Sequence, residues 1–247
     1  YVSIANRSIL ILSEIMNSLA KKSLKEYEDN HIFELISKFP SASKTRESLV
    51  IALKFFLNVC LKFNSYIQMF SDILVYQHLK EAFSYVKFDS EIFTLLLSMT
   101  MNRETDLESI EKCTIQNRSA LKLLVSVIKG SDEEIDLLKG FHKICSLNNF
   151  NIYECYQSGL VLYLLERVDV PGLQSDVFSL FQLICTKVCS PMILNKVHST
   201  MFSSKSKIKL LSTLLQMMRD DSILQVSSFF EFSGPRTGIF GPSIDLS

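Results

Sequence analysis

The chain has 247 residues, of which 47% are hydrophobic and 21% charged, enough apolar side chain to bury a core, which excludes a disordered tail. Lysine plus arginine and aspartate plus glutamate number 26 each, so the chain as a whole carries no electrostatic bias toward nucleic acid or anionic lipid. Its best apolar run, SLVIALKFFLNVCLKF at residues 48–63, is interrupted by Lys54 and Lys62 and falls short of the roughly 18 uncharged residues of a spanning helix.

Apolar residues recur at the spacing of one helix face over most of the chain. They predict about ten helices, near residues 4–22, 27–38, 45–64, 68–86, 90–102, 107–130 with a break around Asn117, 132–146, 150–168, 172–188, 191–203 and 205–220. The punctuation agrees. Asp89 and Ser90 precede EIFTLLLSM; Ser131 with Glu134 in GSDEEIDLLKGF reads as a capping box; Pro171 precedes GLQSDVFSLFQLICTKV; and Ser190 is an N-cap followed by Pro191 at the first helical position. Between the last two helices SSKSKIK, with Lys205, Lys207 and Lys209, reads as a solvated connector.

Three short stretches repeat. FLNVC at 56–60, FHKIC at 141–145 and FQLIC at 181–185 share Phe, then Val or Ile, then Cys at i, i+3 and i+4, positions that share one helix face. The residues are Phe56 and Cys60, Phe141 and Cys145, and Phe181 and Cys185. The last two copies are 40 residues apart, and the first lies 85 before the second, close to two such periods. SALKLL at 119 and SGLVLY at 158 are offset by 39. A helix pair recurring at about 40 residues predicts an armadillo/HEAT-type α-solenoid, a right-handed superhelix of helix pairs in which each unit buries its apolar face by stacking on its neighbours. Chance recurrence of small apolar motifs in a Leu- and Phe-rich helical chain is the alternative.

Catalytic templates are missing: there is no HExxH, GxSxG or Walker loop, and His31, His78, His142 and His198 are widely separated. Neither enzymatic activity nor a cofactor is expected. The six cysteines, Cys60, Cys113, Cys145, Cys155, Cys185 and Cys189, form no CxxC pair and read as reduced core thiols of a cytoplasmic protein. Cys185 and Cys189 are one turn apart, and His142 shares a face with Cys145, but with no second clustered pair no metal site is expected. The NRS sequons at Asn6 and Asn117 read as chance matches, since nothing near Tyr1 resembles a signal peptide, and the chain reads as an internal piece of something longer.

The last 21 residues, SSFFEFSGPRTGIFGPSIDLS, change character. Alternation in SSFFEFSG predicts a strand, GPRTG a turn, and IFGPSIDL a second extended run. GPRTGIFG carries glycines at 234, 238 and 241 but no following helix to hold a phosphate, so nucleotide binding is not expected. Here the sequence resembles the BEACH-domain proteins, the neurobeachin and beige group, in which an armadillo-like solenoid runs into a concanavalin A-like lectin-fold sandwich. The first strand of that sandwich commonly reads Phe-Phe-x-Phe-x-Gly, followed by Gly-Ile and a Pro. The matching positions are Phe229, Phe230, Phe232, Gly234, Gly238, Ile239 and Pro242, and the match covers about twenty residues.

The resemblance implies a helical repeat domain over 1–222 and the first strand or strands of a truncated sandwich over 223–247. It implies a non-enzymatic scaffold acting in vesicle trafficking, lysosome-related organelles or autophagy, cytoplasmic and peripheral to endomembranes. Partners would be other proteins on the solenoid surface and following domains of the parent chain; membrane association would come only through that parent, and nucleic acid is not expected. Two rivals remain open: a free-standing armadillo adaptor, either a small-GTPase-binding regulator or a transport receptor, and a helical hydrolase or lipid enzyme. Without a sheet to join, the tail is expected to lay Phe229, Phe230 and Phe232 on apolar surface near Leu210, Leu214 and Met217.

Overall fold

The structure, a computed structural model, describes residues 1–18, 31–106, 109–188 and 190–219. Over these residues the chain is all-α, with no strand among them. In chain order the helices are α1 (Val2–Ser18), α2 (Ile32–Ser43), α3 (Arg46–Lys62), α4 (Ser65–Asp72), α5 (Val75–Ala82), α6 (Ser90–Met101), α7 (Arg118–Val127), α8 (Glu134–Leu147), α9 (Asn149–Gln157), α10 (Leu160–Arg167), α11 (Gln174–Cys185), α12 (Pro191–Ser203) and α13 (Lys207–Arg219). A 3-10 turn, Ile110–Lys112, precedes α7. No helix among the described residues is long and apolar enough to cross a membrane.

Short polar residues start the helices by accepting a first-turn amide that has no partner within the helix. Asp89 Oδ1 accepts from the Ile92 amide at 3.1 Å, Asn117 Oδ1 from Ala120 at 3.0 Å and Ser190 Oγ from Ile193 at 3.3 Å, the last with Pro191 in the first turn. The capping box at Ser131 does not form. The Ser131 hydroxyl is buried without a partner, while the Glu134 carboxylate accepts from the Gly130 amide at 3.1 Å and turns to Arg167. An ion pair thus takes the glutamate that a capping box would use.

Two predicted helices are divided, and a third breaks where expected, at Asn117 before α7. The stretch 68–86 breaks between α4 and α5 at Leu74, left-handed at φ 61°, and 150–168 breaks between α9 and α10 at Gly159, φ 87°. Glycine takes that conformation without a steric penalty, whereas a leucine there is held by its surroundings. Within 107–130 the described helical residues are the 3-10 turn and α7. The helix predicted at 27–38 instead spans 32–43 and runs through Pro40.

Packing is local in chain order. α1 packs on α3, α3 on α6, α8 on α11, and α11 on α13; likewise α2 packs on α5, α5 on α7, α7 on α10, and α10 on α12. No two helices in substantial contact are more than three helices apart among those described. The core of the first helices is aromatic: Phe33, Phe55, Phe56, Tyr66 and Phe70 meet with ring centroids 5.0 to 6.1 Å apart, mostly edge-on or tilted as the ring quadrupoles favour. From α6 onward leucine, isoleucine and valine predominate.

Candidate functional site

Phe56 and Cys60 on α3, Phe141 and Cys145 on α8, and Phe181 and Cys185 on α11 are all buried, none more than 2% exposed. The gap of 85 residues between the first two copies is filled by α6. There Leu96, Met99 and Thr100 are buried at the same i, i+3 and i+4 spacing, 40 residues after Phe56, Val59 and Cys60. All residues from Leu96 to Met101 are buried, so this spacing does not single out one face of α6.

Polar side chains join helices across the same interval. Apart from short links to a neighbouring turn or helix, the side-chain hydrogen bonds between described helices span 29 to 48 residues. The Ser37 hydroxyl meets His78 Nδ1 at 2.9 Å; Arg46 holds Asp89 and Glu91; Arg118 grips Glu154 with two bonds of 2.7 and 2.8 Å; Lys129 reaches Glu166 at 2.9 Å. Asn151 holds the loop before α7, accepting from the Ile115 amide at 2.9 Å and donating to the Cys113 carbonyl at 3.0 Å.

Two clasps are buried. In the first, Asn117 Nδ2 donates to the Tyr76 hydroxyl, which in turn bonds Cys60. Burial pushes the Cys60 thiol up to about 12, offset in part by Tyr76, and raises Tyr76 as well. In the second, Glu134 accepts from Arg167 Nε at 2.6 Å and Nη2 at 2.8 Å, and from the Tyr163 hydroxyl. Desolvation pulls the Glu134 carboxyl upward, but Arg167, Tyr163 and the Gly130 amide together outweigh it and hold it below the usual carboxylate range. At neutral pH these thiol and phenol groups stay neutral and this carboxylate stays charged. Such groups hold helices together and are poor nucleophiles or proton shuttles.

The first clasp also caps α7, so Asn117→Ala removes the cap and strands the Tyr76 oxygen. A loss of about 2–3 kcal/mol is expected in urea unfolding. A loss below about 0.5 kcal/mol, the level of an ordinary surface substitution, would separate Asn117 from the core network.

The four histidines lie apart, His31 before α2, His78 on α5, His142 on α8 and His198 on α12. Among the described residues no group of three His, Cys, Asp or Glu side chains is placed to hold a metal ion. Cys60, Cys113, Cys145, Cys155 and Cys185 are buried thiols outside any disulfide. Cys145 and Cys155 lie 3.6 Å apart, sulfur to sulfur, and burial raises Cys155 well above an ordinary thiol. Cys145 therefore faces Cys155 rather than His142. A cavity of about 250 Å³ between α10 and α12 is lined by Leu165, Glu166, Val168, Asp169, Lys196 and Thr200 among others. It is open to solvent and lacks the enclosure of a small-molecule pocket.

Phe229, Phe230, Phe232, Gly234, Gly238, Ile239 and Cys189 lie outside the described residues. The tail expected to dock near Leu210, Leu214 and Met217 thus lies outside the described residues; on α13 Leu210 is fully buried and Leu214 packs on the core, while Ile208, Leu211 and Leu215 are exposed on another side of the helix. Compared with protein-family models, curated proteins and solved structures, the chain matches none, so the reading of this surface rests on its own residues.

Proposed function

We propose that the chain is a helical-repeat interaction scaffold of the armadillo/HEAT-type α-solenoid kind, serving as the protein-binding region of a BEACH-type trafficking protein. The observation that carries the repeat reading is the coincidence of two intervals. Buried motifs recur at 56, 141 and 181, and the polar clasps join side chains 29 to 48 residues apart. Stacked units would produce both, since each helix would meet its equivalent one unit later. Contacts confined to near neighbours in chain order support the same reading. The scaffold role follows from chemistry set for holding and from the broad surface that a stacked array presents.

Solution scattering tests the architecture. A compact domain of this length would have a radius of gyration of about 18 Å. The solenoid reading expects a distinctly larger value and an elongated distance distribution, and a compact profile sinks it. The family reading rests separately on Phe229, Phe230, Phe232, Gly234, Gly238 and Ile239. Reading the transcript downstream of Ser247 tests it. Codons for a β-sandwich with tryptophan-bearing strands support the BEACH assignment; a stop codon removes it and leaves the repeat reading standing.

A further inference from the structure

The zero net charge of the chain conceals a segregated segment. Residues 177–219 contain Lys187, Lys196, Lys205, Lys207, Lys209 and Arg219 and no aspartate or glutamate, in a chain whose totals cancel at 26 each. These residues run from α11 through α12 and α13. Within them, the turn joining α12 to α13 is flanked by two highly exposed apolar side chains, Phe202 at 70% near the end of α12 and Ile208 at 85% in the first turn of α13, on either side of Lys205 and Lys207. Neither lysine makes an ion pair with a described carboxylate, whereas Arg46, Lys54, Arg118, Lys129 and Arg167 elsewhere in the fold all do.

The turn is fixed in place. Asp169, just beyond α10, accepts from the Ser204 hydroxyl at 2.9 Å, the Lys205 amide at 3.0 Å and the Ser206 amide at 3.1 Å, and the Ser206 hydroxyl donates to the Val168 carbonyl at 3.2 Å. The exposed Phe202 ring lies edge-on to His198, with centroids 4.8 Å apart. On α13, Ile208, Leu211 and Leu215 extend the exposed apolar line at i, i+3 and i+7. Ordering this turn therefore adds little entropic cost when it meets a surface.

We propose that the α12–α13 turn is a docking tip for an anionic lipid bilayer. Phe202 and Ile208 enter the boundary between headgroups and acyl chains, and Lys205 and Lys207 meet the lipid phosphates. Basic charge beside apolar side chains is the complement of a surface that is anionic outside and apolar beneath. An acidic protein segment fits less well. The exposed apolar side chains flank a turn rather than lining a groove that could hold a peptide.

Flotation of the whole chain with vesicles tests this, using phosphatidylcholine alone and phosphatidylcholine with about one third phosphatidylserine. Binding is expected to the anionic vesicles only, and to weaken as salt is raised. Lys205→Glu with Lys207→Glu should lower binding at least about tenfold, and Phe202→Ser with Ile208→Ser should abolish it at any salt. All four side chains are exposed, so both variants should keep the helical circular dichroism and urea midpoint of the parent, which excludes misfolding as the cause. Absent or equal binding to the two vesicle types overturns the proposal. So does binding that survives both variants. A concentration-dependent dimer lost in Phe202→Ser with Ile208→Ser, without vesicle binding, would assign the tip to a second copy of the chain and also overturn it.

Discussion

Truncating Phe181 to alanine is expected to lower the stability of the folded chain by about 3–5 kcal/mol. The side chain is fully buried on α11, which packs on α8, α10 and α13, so its removal opens a cavity where helices from both sides meet. Refilling that cavity needs the packed helices to approach, which close-packed interiors resist; Phe141 and Ile144 on α8 and Ile184 on α11 are themselves fully buried. Urea denaturation followed by circular dichroism measures the effect. Phe181→Leu, which keeps much of the volume, should cost distinctly less. An unchanged midpoint for Phe181→Ala would place the face in solvent and remove the repeat motif's claim to the core.

Breaking the clasp between α8 and α10 should be comparably severe. Glu134→Ala leaves the Arg167 guanidinium, only 13% exposed, without its carboxylate, and loss of one partner of a buried pair costs about 3–5 kcal/mol. Replacing both by apolar residues, Glu134→Leu with Arg167→Met, should recover most of that loss. A double variant as unstable as the single one would show that the charges contribute more than their desolvation costs. The pH dependence has a fixed sign. The Glu134 carboxyl is held lower in the folded state than in the unfolded chain, so its stabilisation is complete above the unfolded value of about 4.3 and is lost as pH falls through the lower folded value. The stability difference between the parent and Glu134→Gln should therefore shrink on acidification below about pH 4. A difference that stays constant down to pH 2 would place the effect in packing rather than charge.

The all-helical character, most helix starts and the 40-residue recurrence are legible from the sequence because they depend on nearest neighbours along the chain. An asparagine or serine ahead of an apolar run meets its own first turn whatever lies beyond, as Asn117 and Ser190 do. The division at Gly159 was open to reading, since glycine is the residue that most readily leaves a helix. The division at Leu74 was not, because nothing local favours a left-handed leucine. Ion pairs fail for a different reason. Arg118 meets Glu154 because two helices stack in one register, and no window of a dozen residues contains that information. The capping box at Ser131 fails for this same cause, its glutamate drawn away by Arg167 from α10.

The confinement of contacts to helices at most three apart also bears on how the protein is made. A ribosome adds roughly 5–20 residues each second, whereas a helix forms within about a microsecond, so every helix is formed long before the next emerges. Since no described helix waits for a partner from the far end of the chain, α1, α2 and α3 can settle on one another while α10 is still untranslated. Synthesis would then proceed as growth from one end, each new helix condensing on the apolar face left open by the last. A nascent chain halted after α7 should already resist protease over its first helices, leaving the newest one as the place where cleavage begins.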